Sequence, residues 1–406
     1  MRKCRSHCGL IVAAAALAIA TEPGRAQDTS GSWADKLALD PPRWEFGNYE
    51  IRLGGNAAGA LFTSHASAGP AYPDGFDTTG ASGLLNGNVR IQRTLDNGMV
   101  LGARGDFLVL HDELSGDIYD NDFVEREFLF AQTGFGRVEI GQTDGAAFSL
   151  GLVGPIVDEH VSLEQRKISL FRDPITDRDF AKFFEPVTAV QSSSNYAKIN
   201  YVSPRLLGIQ IGASFTPETV RTPLPWTGNP SDDPNQQHAL WEVAASYTGY
   251  FSNVAVGLSA GYAHGRLKNR TAGFENLHDW SVGAQLAYTI SDVKLSAGGA
   301  YRETNAYLLD VTQALKGGGT HTVHLSAMAE KGSWLLGAEY SNSDITGPVD
   351  FEITGYQAAV GYKINTNMQL TAGWHWYNYN RSGGTFFNGA PGIDFNAGFI
   401  VLSYAL

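Results

Sequence analysis

The feature that most constrains this chain is an alternation of apolar and polar residues with a period of two. It recurs in segments of about ten residues from residue 49 to the end. Tyr49, Ile51 and Leu53 alternate with Glu50 and Arg52. Trp280, Val282, Ala284, Leu286 and Tyr288 alternate with Ser281, Gly283 and Gln285. Met368, Leu370, Ala372, Trp374 and Trp376 alternate with Gln369, Thr371 and His375. A period of two places the two sets on opposite faces of a strand. Connections alternate in length as well. Asp96-Asn97-Gly98, Gly134-Phe135-Gly136, Ser203-Pro204-Arg205, Ser291-Asp292, Lys331-Gly332-Ser333 and Asn365-Thr366-Asn367 are short. Segments 63–83, 111–122, 217–238, 265–277, 304–319, 341–351 and 380–392 are long and polar.

This reads as sixteen strands, starting near residues 49, 84, 99, 123, 137, 195, 207, 239, 254, 278, 293, 320, 334, 352, 368 and 393. An even number closes an antiparallel sheet without an edge. Short turns on one side and long loops on the other are the pattern of a transmembrane barrel. A soluble β-sandwich would turn its large apolar residues to a core. Here the polar face is small (Gly, Ser, Ala, Gln, Asn), and the apolar face carries aromatics near strand ends, as in Trp241 with Tyr247 and Tyr356 with Tyr362. The expected fold is therefore all-β, a 16-stranded antiparallel transmembrane β-barrel. The longest apolar run, Leu10 to Ala20, is 11 residues, and a spanning helix needs about 20.

Residues 1–26 read as a secretory signal peptide. Arg2, Lys3 and Arg5 precede the apolar run, and Gly24-Arg25-Ala26 offers a cleavage site. Both cysteines, Cys4 and Cys8, lie in that segment, so the rest has no disulfide, thiol nucleophile or cysteine metal site. The whole chain has 29 basic and 41 acidic residues. Four bases and Glu22 lie in the signal, which leaves 25 against 40, a net charge of −15. That acidity excludes nucleic acid as a partner. Residues 27–48 fit no strand and are expected to form a periplasmic or lumenal extension.

One connection breaks the rhythm. Residues 143–194 form a loop of about fifty residues with glycines, prolines and clustered charges, and a short helix is expected around Leu163–Phe171. Loops this long usually carry function. A barrel of this size stays water-filled unless something narrows it, so the loop is expected to fold inward.

Gly134-Phe135-Gly136-Arg137-Val138-Glu139-Ile140-Gly141-Gln142 resembles the turn and strand that precede the constriction loop of Gram-negative general porins. Tyr201-Val202-Ser203-Pro204-Arg205-Leu206-Leu207-Gly208 resembles the turn after it, with Leu206 where an aromatic is commoner. Ile400–Leu406 is similar to the outer-membrane assembly signal, with Leu406 in place of the usual Phe. The resemblance spans residues 49–406. It implies a homotrimer in the cell outer membrane, exported through the Sec pathway and surrounded by lipid and lipopolysaccharide. Each barrel is then a passive diffusion channel for small hydrophilic solutes and ions, with no cofactor and no metal.

In that family the third loop presents acids to a row of bases on the opposite wall. By parity the wall bases here are Arg52, Arg90, Arg104, Arg137 and Lys198. The loop acids are Asp158, Glu159, Glu164, Asp173, Asp177, Asp179 and Glu185. The loop carries eight acids and five bases, a net −3, so mild cation selectivity is expected. The alternative is a channel selective for a sugar or for an anion such as phosphate. Sugar channels line the lumen with aromatics, whereas here most Trp and Tyr fall on the lipid-facing parity, with Tyr377 and Tyr379 as exceptions. Catalysis is not expected. Only His278-Asp279 resembles a dyad, and His321 and His324 point to opposite faces of a strand.

Overall fold

The computed structural model describes residues 40–111, 124–164, 167–171, 186–194, 196–219, 236–269, 272–308, 310–386 and 389–406. The strands are β1 (Arg43–Phe46), β2 (Tyr49–Ala66), β3 (Phe76–Thr94), β4 (Val100–His111), β5 (Val124–Thr133), β6 (Gly136–Gln142), β7 (Ala197–Val202), β8 (Ile209–Glu218), β9 (Gln237–Phe251) and β10 (Val254–Leu267). They continue with β11 (His278–Ile290), β12 (Val293–Thr304), β13 (Ala306–Tyr307), β14 (Asp310–Ala314), β15 (Gly319–Lys331), β16 (Trp334–Thr346), β17 (Phe351–Lys363), β18 (Met368–Arg381) and β19 (Gly392–Ala405). One short helix, α1 (Ala146–Ser149), follows β6.

Strands β2–β12 and β15–β19 form a single antiparallel sheet of 16 strands, each beside its neighbour in sequence. The sheet closes where β19 pairs with β2, from Phe395↔Ala66 to Ala405↔Asn56. β13 and β14 make a separate ribbon in the β12–β15 connection. All strand starts but one lie within two residues of those read from the alternation. The exception is β3, which begins at Phe76 rather than near 84. Glycines 75, 80 and 83 mark a loop by composition. In the fold Gly80 lies opposite Phe62, whose ring covers it. An aromatic over a strand glycine restores the packing that the missing side chain removes.

Burial alternates with the same period, inside out relative to a soluble protein. The outward positions are large and apolar, with Leu61, Leu129, Trp241 and Leu336 all more than half exposed. The inward positions include Glu242, Asp279, Arg302, His324, Glu339, Gln357 and His375, all buried. Only a nonpolar surround makes that distribution stable.

The expectation that residues 27–48 contain no strand does not hold at its end. β1 pairs with the start of β2, from Arg43↔Arg52 to Phe46↔Tyr49. It occupies the stretch of β2 that β19 leaves free. Leu53 N–H donates to Pro42 O at 3.0 Å, and Leu406 N–H donates to Gly55 O at 2.8 Å. The alternation around Arg43 and Glu45 is short and charged, so it gave no apolar face by which to read a strand.

The two faces of β11 should respond oppositely to one charge. Leu286→Lys, on the outward face between Trp280 and Tyr288, is expected to cost about 2–4 kcal/mol in a bilayer. Gln285→Lys on the inner face should cost less than about 1 kcal/mol. Urea unfolding from lipid vesicles checks both. Equal, small effects would mean that Leu286 faces water.

Candidate functional site

The described parts of segment 143–194 lie against the polar inner face of the sheet. At its start, α1 is held by its N-terminal amides. Ala146 N–H donates to Ser214 Oγ at 3.3 Å, and Ala147 N–H donates to Glu242 Oε2 at 3.1 Å. A carboxylate at a helix N-terminus satisfies free amides and opposes the helix dipole. Gly145 is required there, because a Cβ would collide with Glu242 and Ser193. Lys198, buried on β7, donates to Thr143 O, to Ser193 O at 3.3 Å and to Ser194 O. One ammonium thus ties both ends of the loop together.

Further along, the loop bonds to successive strands. Leu152 N–H donates to Ser259 Oγ on β10 at 2.9 Å. Gln369 Nε2 donates to Val157 O at 2.8 Å, and Thr371 Oγ1 donates to Asp158 Oδ2 at 2.9 Å. Asp158 Oδ1 also accepts from His160 N–H at 3.0 Å and lies 2.8 Å from His160 Nδ1. Ser162 Oγ and Leu163 N–H donate to Glu339 Oε2 at 2.6 and 3.1 Å, and the same carboxylate meets His324 at 3.2 Å. At the far end Ser192 bonds to Asp279, which Arg302 grips bidentately at 2.8 and 2.7 Å.

Between these bonds the contact is apolar. Val157, Val161, Leu163, Ile168, Leu170 and Phe171 share one buried cluster with Phe62, Tyr377, Tyr379, Phe395 and Phe399 of the wall. Phe171 meets Tyr377 and Phe395 edge-on, with ring centres 5.6 and 5.0 Å apart. The described residues around Leu163–Phe171 are not helical, and among the described residues of the loop the helix stands at Ala146–Ser149 instead. A helix would turn part of this apolar run away from the wall. The non-helical chain buries Leu163, Ile168, Leu170 and Phe171 together.

The expected loop acids separate into distinct environments. Asp158 and Glu164 are buried. Glu164 accepts from Thr188 N–H at 2.7 Å and Ala189 N–H at 3.2 Å, joining two parts of the loop. Burial raises the Glu164 pKa against those bonds. Burial also opposes the charge on Asp158, but the bonds from His160 and Thr371 prevail and hold its pKa below the usual value. Glu159 is exposed and pairs with Lys167 at 3.0 Å. Asp173, Asp177, Asp179 and Glu185 lie outside the described residues.

Of the expected wall bases, four gather and one does not. Arg52, Arg90 and Arg104 are direct cross-strand neighbours on β2, β3 and β4. Like charges so placed repel, and acids intervene. Glu50 pairs with Arg52, Asp106 with Arg104 at 2.7 Å, and Glu139 with Arg137 at 2.7 Å. Arg90 and Arg137 lie over the Phe130 ring, 4.8 and 4.2 Å from its centre. Among the described residues no carboxylate lies within ion-pair distance of Arg90. Lys198 is the one that stands apart, spent on the loop ends.

Arg126 joins the row unforeseen, 3.6 Å from Asp106 and 3.1 Å from Asp144. It sits between Glu125 and Glu127, so no apolar alternation marks its face. Tyr377 and Tyr379 do face inward, but beneath the loop. His278 faces outward to Tyr262 Oη at 2.9 Å, while Asp279 faces inward to Arg302, so they form no dyad. Among the described residues no group of three His, Cys, Asp or Glu side chains could hold a metal.

A closed sheet of 16 strands with an apolar exterior, charged interior and a loop bonded along its inner wall defines a transmembrane channel barrel. The chain belongs to the Gram-negative porin family, whose profile matches residues 11–384. It is an outer-membrane protein of that channel class. No match is found among curated protein sequences. The fold is similar to the anion-selective porin from Comamonas acidovorans, at TM-score 0.54 and 10% identity, over 88% of this chain and 100% of that one. It is also similar to a loop L8 deletion mutant of OmpT from Vibrio cholerae (TM-score 0.51, 14% identity, 88% and 100%). The trimer form of that OmpT matches at TM-score 0.50 and 15% identity, over 88% and 99%.

The loop should loosen when its ties are cut. Lys198→Met is expected to raise hydrogen exchange across 146–171 while the barrel stays closed. Asp158 stabilises docking above the ordinary carboxylate value of 3.8 and loses that contribution as pH falls below it. Asp158→Asn should therefore remove one acid-side step from the exchange profile. An unchanged profile would mean that the Thr371 and His160 bonds do not hold the loop.

Proposed function

We propose that this protein is a passive, water-filled diffusion channel for small hydrophilic solutes and ions. On this reading residues 1–26 direct export through the Sec pathway and are removed. Residues up to β1 form a periplasmic or lumenal extension, and the barrel works as a homotrimer among lipid and lipopolysaccharide. The observation that carries the reading is the loop bonded to β8–β18, opposite an arginine row on β2–β6. This arrangement supports a constriction in which opposed charges orient water and dipolar solutes. The burial of Tyr377 and Tyr379 under the loop argues against an aromatic path for sugars.

Selectivity is proposed to be a mild cation preference. The loop is −3 and the chain after residue 26 is −15. Because Asp158 and Glu164 are buried in hydrogen bonds, the preference rests on Glu159 and on the loop acids at 173, 177, 179 and 185. A second reading, a preference for anions, is favoured by Arg90, whose guanidinium lies over a ring rather than a carboxylate.

The trimer reading has a surface to match. The outward positions of β2–β5 include Gly59, Gly87, Ala103 and Ala131. The outward aromatic pairs Trp280–Tyr301, Tyr340–Tyr356 and Tyr356–Trp376 all lie on β11–β18. Small side chains let neighbouring backbones approach closely. Cysteine at Gly59 should cross-link between subunits, and cysteine at Val282 should not.

In planar bilayers the purified protein is expected to give ohmic steps, often in threes, with conductance proportional to bulk salt. Saturation by low millimolar sugar or phosphate would indicate a substrate-selective channel instead. In a salt gradient the zero-current potential should show mild cation preference, weaker at 1 M, where the screening length is about 3 Å. Glu159→Gln should move it toward anions, and Arg90→Gln toward cations. A potential on the anion side in the unaltered protein would establish the second reading.

A further inference from the structure

We infer that the short turns on one side of the barrel, from β5 to β10, dip into the lipid of the periplasmic leaflet. They form a lipid-contact surface that reaches lower than the rest of the rim. Phe135 in the β5–β6 turn is 86% exposed, Leu206 and Leu207 in the β7–β8 turn are 68% and 97% exposed, and Phe251 at the end of β9 is 62% exposed. Leu207 also has a left-handed backbone, φ 52°, followed by Gly208 at φ 85°. Two-residue turns of this kind usually carry Asn-Gly, and a leucine there is strained. A large apolar side chain thus stands almost fully exposed at the tip of the turn.

These tips adjoin one another. Tyr201 Oη donates to Phe135 O at 2.7 Å, and Thr248 N–H donates to Gly208 O at 2.9 Å. Phe251 lies 6.3 Å, ring to ring, from Tyr247. The outward side chains above them, Ile199, Tyr201, Ile209 and Ile211, are apolar and exposed. The tips therefore continue the lipid-facing band rather than interrupt it. Arg205 is the one charged residue in these turns. It is drawn back onto the barrel by bonds to Gly208 O at 2.9 Å and to Thr248 Oγ1 and Gln210 Oε1, both at 2.8 Å.

The opposite side of this rim differs. Trp334 and Tyr362 meet edge to face, 4.8 Å between ring centres, beside the short turns of β16 and β17. Charge follows at once, with Lys363 on Glu330 and Lys331 on Asp292 at 3.4 Å. On β9 the apolar surface instead runs four residues past Tyr247. At about 3.3 Å per residue and a tilt near 45°, that run reaches roughly 9 Å beyond Tyr247 along the barrel axis. Such a step is met by local thickening of the leaflet or by tilt of the barrel. Continuity with the lipid-facing band and the lack of charge select lipid as the occupant.

The test uses single cysteines, since residues 9–406 contain none. Leu207→Cys, Phe251→Cys, Ser333→Cys and Leu286→Cys are labelled with bimane in the protein of residues 27–406, without the signal segment, in phosphatidylcholine vesicles. Quenching by lipid spin-labelled at acyl carbon 5 is compared with quenching by iodide. Leu207→Cys and Phe251→Cys should be quenched several-fold more by the lipid than Ser333→Cys, and less by iodide. A Leu207→Cys probe that behaves like Ser333→Cys overturns the inference. A probe shielded from both quenchers overturns it in favour of a protein contact. The inference rests on the embedded-barrel reading, which Leu286→Cys reports separately. If that mid-strand probe escapes lipid quenching, the channel reading fails and takes this one with it.

Discussion

A strand in hydrocarbon cannot leave an amide or carbonyl unpaired, because no water is present to accept it. Everything here follows from the pairing of β19 with β2, which meets that demand for both edges at once. Closure fixes which residues face inward. Closure also turns a repeating polarity pattern into two separate environments, one for lipid and one for water, loop and charge.

The interior is divided rather than uniformly wet. Toward β8–β19 the loop is bound by buried carboxylates and by an apolar cluster centred on Phe171. Toward β2–β6 the wall arginines remain partly exposed, each with an acid or a ring beside it. Loop docking therefore assigns the titratable groups to two tasks. Asp158, Glu164, Glu339 and Lys198 hold the fold of the loop. Arg52, Arg90, Arg104, Arg126 and Arg137 form a partly exposed charged row on the wall.

Strand positions were legible because burial on one face and lipid on the other impose period two on nearly every segment. The shared face of Arg52, Arg90 and Arg104 was legible for the same reason. The roles of the loop residues were not. Asp158 meets Thr371, 213 residues away, and Ser162 meets Glu339, 177 residues away. Such contacts depend on where the loop lies across the barrel, and no local spacing encodes them. Lys198 has the parity of a wall base, and only the folded loop shows that three carbonyls claim it. β3 was misplaced because glycine is a loop signal locally, whereas a facing aromatic makes it a strand residue.

The short strand β1 has a consequence for the width of the pore. In a barrel of given strand number the stagger between first and last strands sets the radius. β1 fills the edge of β2 from Tyr49 to Arg52, and the chain end at Leu406 bonds to Gly55 just beyond it. The last strand cannot slide further along the first without displacing that hairpin. Four residues at the rim thus act as a stop on the shear of the closed sheet. One determinant of the pore's diameter thus lies at the seam where the sheet closes, beside Arg52 at the end of the arginine row.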